Sequence, residues 1–141
     1  MIEETHLSTI EKILFLKSVD IFAHTTIEEL GRIATLTQEV RFKAGETIFR
    51  EGEPVEALYL VLKGRVMVEK SGVKIREIGE KETFATVAAL DLEPAAHTVK
   101  ALEPLHALKL NALDFHEILA QDYALVRSVF RVLSRLIRDG R

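Results

Sequence analysis

Apolar residues change their spacing twice along this chain. Early on they recur every three to four positions, first Ile10, Ile13, Leu14 and Leu16, then Leu30, Ile33 and Ala34. That is the spacing of one face of an α-helix. Each set follows a capping-box sequence, Ser8-Thr9-Ile10-Glu11 and Thr26-Ile27-Glu28-Glu29. In such a box a hydroxyl and a carboxylate three residues apart satisfy each other's backbone amides. Two short helices are therefore expected over about residues 8–35, joined around residues 18–25.

From about Thr37 the period becomes two. Val40 and Phe42 alternate with polar residues, as do Val66 and Val68, and then Val73, Ile75 and Ile78. Five of the seven glycines (Gly45, Gly52, Gly64, Gly72 and Gly79) punctuate this region. Short strands separated by regular turns predict an antiparallel barrel or jelly roll. Strand character returns at residues 98–102 and 106–110. Asn111 then suits the N-cap of a helix through Leu113, Phe115, Ile118 and Leu119, and a longer helix is expected over about residues 122–138. The fold class is α+β, mainly β: an antiparallel β-roll over about residues 37–111, with N-terminal helices and C-terminal helices over about 112–138. Residues 1–141 read as one domain.

Composition narrows the function classes. The 141 residues are 48% hydrophobic and 29% charged, the balance of a globular chain. A net charge of −3 supplies no global field toward nucleic acid or anionic lipid. The absence of cysteine removes disulfides, thiolate nucleophiles and cysteine-held metals. Apolar runs are no longer than about Leu58 to Leu62, so no membrane span is expected. A cytoplasmic setting is the simplest expectation. Metal-dependent jelly-roll enzymes need a His-x-His pair with further ligands, and His6, His24, His97, His106 and His116 offer no such spacing. No nucleophile elbow, P-loop or His-Glu-x-x-His is present either. The chain is expected to be non-enzymatic, with no cofactor and no metal site.

The remaining chemistry lies in residues 84–101, FATVAALDLEPAAHTVKA. This stretch resembles the phosphate-binding cassette of cyclic nucleotide-binding domains, the catabolite-activator and protein-kinase-A regulatory-subunit type. The usual form of that cassette is F-G-E-x-A-L, a short spacer, then P-R-[SA]-A-T-V. Phe84, Ala88, Leu90, Pro94, Thr98 and Val99 stand where the pattern wants them. Flanking segments agree with it. Residues 43–53 resemble the family's "aGe.If.eGd" hairpin, residues 58–64 its "lYlil.G" strand, and residues 16–22 the lead-in before its first strand.

The resemblance implies a short cassette helix whose first amides meet a cyclic phosphate. It also implies an arginine on the phosphate, a glutamate on the ribose hydroxyl and a glycine that lets the backbone approach. In this chain Ala85 replaces the glycine, Thr86 the glutamate and Ala95 the arginine. Hydrogen bonds to charged groups contribute about 1.5–3 kcal/mol each. Losing two corresponds to about 10²–10⁴ in affinity.

Several readings of the cassette stay open. Thr86 and His97 can substitute for the missing groups, His97 as a cation at mildly acidic pH. The other reading has Thr86 capping the cassette helix and His97 facing outward. The apolar set Ala85, Val87, Ala88, Ala89, Leu90, Ala95 and Ala96 also suits a pocket that has filled with side chains, or one that takes a less polar ligand. The candidate ligand-binding residues are Phe84, Ala85, Thr86, Val87, Ala88, Pro94, Ala95, Ala96, His97 and Thr98. The ligand would be cyclic AMP or cyclic GMP.

The last helix carries two apolar stripes. Tyr123, Val126, Phe130, Leu133 and Ile137 form a heptad-like seam beside Leu125, Val129, Val132 and Leu136. One stripe can cover the roll, while the other needs a second surface, either a second copy in a homodimer or the chain's own N-terminal helices. Arg127, Arg131, Arg135 and Arg138 add a basic ridge, read as a solvated face or as a docking surface for an acidic partner. Direct nucleic acid binding is not expected. The function expected is a regulatory or sensor domain with weak, altered or absent cyclic nucleotide binding, acting on an attached or partner effector. The alternatives are a working cyclic-nucleotide receptor and a structural interaction or dimerisation module.

Overall fold

A computed structural model describes residues 6–139. Helices α1 (Thr9–Lys17) and α2 (Ile27–Leu36) come first, separated by a 3₁₀ turn at Asp20–Phe22. Eight strands follow: β1 (Gln38–Phe42), β2 (Thr47–Phe49), β3 (Ala57–Lys63), β4 (Val66–Lys70), β5 (Val73–Ile78), β6 (Thr83–Phe84), β7 (Thr98–Ala101) and β8 (Leu105–Asn111). Helix α3 (Thr86–Asp91) interrupts them after β6, and α4 (Ala112–Gln121) and α5 (Tyr123–Arg138) close the chain. The strands form two four-stranded sheets, ordered β1-β8-β3-β6 and β2-β7-β4-β5, with every pairing antiparallel. This is the expected mainly-β roll with helices at both ends.

Two apolar clusters hold it together. Leu58, Leu60, Leu108 and Leu110 on the first sheet pack with Leu16, Phe22, Leu30 and Ile33 from the N-terminal helices and with Phe115, Ile118, Leu125 and Val129 from α4 and α5. Between the sheets lie Phe49, Val61, Val66, Val68, Ile78, Phe84, Ala95, Val99 and Leu105. Strand β3 serves both clusters, which is why Leu58 to Leu62 is apolar without alternation. Gly64 sits in the tight β3–β4 turn at φ +103°, where a Cβ would lie 2.5 Å from the Pro104 carbonyl oxygen. Only glycine fits there.

The two capping boxes differ. Ser8 Oγ accepts from the Glu11 amide at 3.1 Å, and the Glu11 carboxylate accepts from the Ser8 amide at 2.8 Å. Thr26 accepts from the Glu29 amide at 3.2 Å, but Glu29 turns instead to Arg32 at 3.0 Å, leaving half a box. Ile10 and Leu14, expected on the buried face of α1, are exposed, because that helix is anchored mainly through Leu16, Ile13 and Phe15.

The largest departure is in β5, where Val73 and Ile75 face solvent. The register explains it. Val66 opposes Ile78 and Val68 opposes Arg76, but Glu69 opposes Lys74, so residue 75 is an extra one at a bulge. One inserted residue flips the side-chain phase. Arg76 shares the inner face with Ile78 and Val68 by regular alternation back from Ile78, which leaves Ile75 outward, and the bulge changes the phase only of the residues before it.

A carboxylate ties the N-terminal segment to the roll. Glu39 on β1 accepts from the Leu7 amide at 2.7 Å and pairs with His106 on β8 at 2.9 Å, with His6 at 3.5 Å. Burial alone would raise its pKa, but the Leu7 amide, His106 and His6 outweigh that and hold it below the ordinary 4.5. A depressed folded-state pKa gives stability that is present above the unfolded value and lost as pH falls through the folded one. Glu39→Gln should therefore lower stability at neutral pH and flatten the acid limb of stability against pH in urea melts. An unchanged acid limb would separate Glu39 from the acid sensitivity.

Candidate functional site

The cassette begins where β6 ends. Phe84 is buried, stacked on Tyr59 with ring centres 4.8 Å apart and planes 7° off parallel, and 6.3 Å from Phe49. Burial also raises the Tyr59 phenol pKa, so its hydroxyl stays protonated. The next residue, Ala85, is the N-cap of α3 in the left-handed conformation, φ 66°, ψ 15°. The cassette's glycine position thus holds a backbone shape that favours glycine while carrying a Cβ. That shape costs an L-residue about 1–2 kcal/mol. Ala85→Gly should raise unfolding free energy by about 1 kcal/mol, read from denaturant melts.

Thr86 follows in the first turn. Its hydroxyl lies 2.9 Å from that of Thr83, and α3 has no side-chain cap, so Thr86 is not the capping residue. The first intrahelical bond runs from the Ala89 amide to the Ala85 carbonyl at 3.0 Å. The amides of residues 86–88 have no acceptor within the helix. Val87 is exposed, whereas Ala88 and Ala89 are buried.

The second half of the cassette is clamped to the hairpin after β2. The Gly52 amide donates to the Ala95 carbonyl and the Ala95 amide to the Glu53 carbonyl, each at 2.9 Å. Thr98 Oγ1 accepts from the Glu51 amide at 3.1 Å. Ala95 is buried and Ala96 exposed.

A cavity of about 340 Å³ opens against the cassette. Phe84, Ala85, Thr86, Val87, Ala88, Ala95 and Ala96 line it. Pro94, His97 and Thr98 do not. Pro94 borders a separate cavity of about 400 Å³ near the start of α4, with Leu92 and Leu113. His97 is half-buried. Burial first, then the charges of Arg76 and Lys70, lower its pKa below 6.5, against a smaller opposing pull from Glu51. That direction disfavours the cation that a phosphate contact from His97 would need. Beside the alanines the structure has open space.

Several lining residues escape the sequence reading. Arg76 and Ile78 come from the inner face of β5, Lys81 and Glu82 from the turn before β6, and Asp20 and Ile21 from the 3₁₀ turn. Helix α5 forms the far wall with Val132, Leu133, Arg135, Leu136 and Asp139. Arg135 and Asp20 lie 3.5 Å apart across the rim. His116 of α4 donates through Nε2 to the Ala89 carbonyl at 2.8 Å, joining the cassette helix to the closing helices.

On α5, Leu125 and Val129 are buried and Val132, Leu133 and Leu136 partly so. Tyr123, Phe130 and Ile137 are 72%, 60% and 77% exposed, with Val126 half-buried. One stripe thus covers the chain's own body, while most of the seam faces outward beside exposed Arg127, Arg131 and Arg138. No helix among the described residues is long and apolar enough to cross a membrane.

Several known proteins are similar to this chain. The family model for the cyclic nucleotide-binding domain matches residues 39–122. A putative potassium channel protein of Rhodopseudomonas palustris is 30% identical over 127 residues, covering 87% of this chain and 30% of its own length. The cAMP-dependent protein kinase regulatory subunit of Emericella nidulans is 30% identical over 107 residues, covering 74% of this chain and 26% of its own length. Among solved structures, the regulatory domain of Toxoplasma gondii PKA with cAMP superposes with a TM-score of 0.79 at 25% identity, covering 93% of this chain and 50% of the other. The chain therefore spans under a third of the length of these two curated relatives.

Proposed function

Because this chain belongs to the cyclic nucleotide-binding domain family, we propose that it is a non-enzymatic sensor domain. In this reading cyclic AMP or cyclic GMP binds weakly in the cassette cavity and biases the position of the closing helices. One observation carries it: a single cavity of small-molecule size is bounded by the cassette on one side and by α5 on the other. A molecule held there touches both elements, and differential contact between two arrangements is what a ligand needs to shift their populations. The Ala89–His116 hydrogen bond supplies a second link from cassette to α4. The output passes to an attached or partner effector.

Weak binding follows from Thr86 and Ala95 in place of two charged side chains. Their loss removes about 10²–10⁴ in affinity relative to a complete cassette. Calorimetric titration with cyclic AMP and cyclic GMP, with thermal melts in parallel, tests this. Saturable binding weaker than micromolar, with a matching rise in melting temperature, is the expected result. Micromolar or tighter binding would refute the weakening, and no heat or melting shift at millimolar nucleotide would remove the sensor reading.

The exposed seam of Tyr123, Phe130 and Ile137 supports a second reading, that two copies pair through α5. Light scattering on the same samples decides it: a monomeric mass at high concentration would exclude the pairing.

A further inference from the structure

We infer that the outward seam of α5 docks into the groove at the start of α4 on a second copy of this chain. The copies then join α5-to-groove and not α5-to-α5. This rests on the second reading above, that copies associate through α5, and names the surface that α5 meets.

The groove is the cavity of about 400 Å³ bordered by Pro94. Its floor is apolar: Leu92 and Leu113 are 53% and 66% exposed there, next to the half-buried Val55. Leu92 ends α3 in the left-handed conformation, φ 58°, ψ 27°. Glycine or asparagine suits such a helix end best, so the turn itself does not call for a leucine. The walls are stiff. Pro54 and Pro94 restrict their backbone, and the Ala112 amide donates to the Glu56 carbonyl at 2.8 Å, tying the hairpin wall to α4. A groove already in shape costs little ordering on binding.

Charge selects the occupant. Glu56 and Glu93 are the charged residues lining the groove. The contributing segments 51–57, 91–96 and 111–117 hold seven acids and no lysine or arginine. An apolar, cationic segment is therefore the complementary partner.

Helix α5 is such a segment. It contains four arginines and no acid, and Phe130 on its outward seam has Arg127 one turn before it and Arg131 directly after. Arg135 pairs with Asp20, whereas Arg127, Arg131 and Arg138 form no salt bridge among the described residues. Leu125 and Val129 hold α5 to its own chain's core, which turns the seam away from its own body and toward a second copy. Two copies placed α5 against α5 bring only positive side chains together, and like charges face to face oppose association. Seated in the groove, the same arginines meet glutamates. Residues 92–94 also connect α3 to the clamped Ala95, so a docked neighbour touches the spacer of the cassette.

The test measures self-association of the full chain by sedimentation equilibrium. Association should weaken between about 0.1 M and about 1 M salt, as screening shortens from about 10 Å to about 3 Å. Two double variants, all at exposed positions, follow after melts confirm that they are folded. Glu56→Lys with Glu93→Lys should weaken association by about 10-fold or more, and so should Phe130→Ala with Ile137→Ala. Mixing the two should then give a complex with one copy of each, because the first keeps its α5 and the second its groove.

A groove variant that associates as the parent does would overturn the docking while leaving α5-to-α5 pairing intact. Association that strengthens with salt would do the same. Loss in both variants with no complex on mixing would mark an indirect effect and also overturn it. A parent that stays monomeric at high concentration removes the docking and the pairing together.

Discussion

Thr86→Glu combined with Ala95→Arg is expected to tighten cyclic AMP binding by about 10²-fold or more, the largest change any pair of substitutions in this chain should produce. Each restores a charge-assisted hydrogen bond of about 1.5–3 kcal/mol. The backbone is already prepared for both. Ala85 holds a left-handed turn of the kind that favours glycine, and α3 begins directly after it. Residue 95 is fixed by its two hydrogen bonds to the hairpin and borders the cavity, so a longer side chain can extend into open space. Overpacking at this buried position takes back about 1–3 kcal/mol. Calorimetry of the folded double variant measures the outcome. No gain over the parent would mean that the cassette's frame, not its two side chains, limits binding.

Phe84→Ala should have the largest effect on stability at the site, a loss of about 3–5 kcal/mol. The ring is buried between Tyr59 and Phe49, where it forms the floor of the cavity and part of the core between the sheets. Removing it joins the ligand space to the core and strands the face of Tyr59. Phe84→Leu, which keeps most of the volume, should cost well under half as much. Urea unfolding of the two variants gives the comparison, and similar losses from both would show that the stacking geometry, not the filled volume, matters.

Much of the fold was legible in the sequence because it is written in local signals. The Ser8 box, the Thr26 and Asn111 caps and the change of period near Thr37 each act over a few residues, and they fall where the helices and strands begin. The cassette was legible as an ordered set of spacings, and seven of its ten candidate residues share one cavity. What escaped depends on partners far along the chain. Arg76 was hidden because Val73 and Ile75 have one parity and Ile78 the other, and only the pairing of Ile78 with Val66 shows which of the two faces the core. Asp20 and Arg135 gave no signal, since 115 positions separate them before the fold brings them to one rim. The exposure of Ile10 and Leu14 likewise reflects how α1 is seated, which helical spacing alone does not decide.

The bulge at residue 75 divides β5 into two independent stretches. Pairing is regular from Val66–Ile78 to Val68–Arg76, so the inward set is fixed by counting back from Ile78, and deleting Ile75 would leave Arg76 where it is. One residue inserted between Arg76 and Ile78 would instead turn Arg76 outward and take an inward charge from the cavity without replacing any charged residue. Comparing chains position by position would miss that step, because every charged residue would still be present.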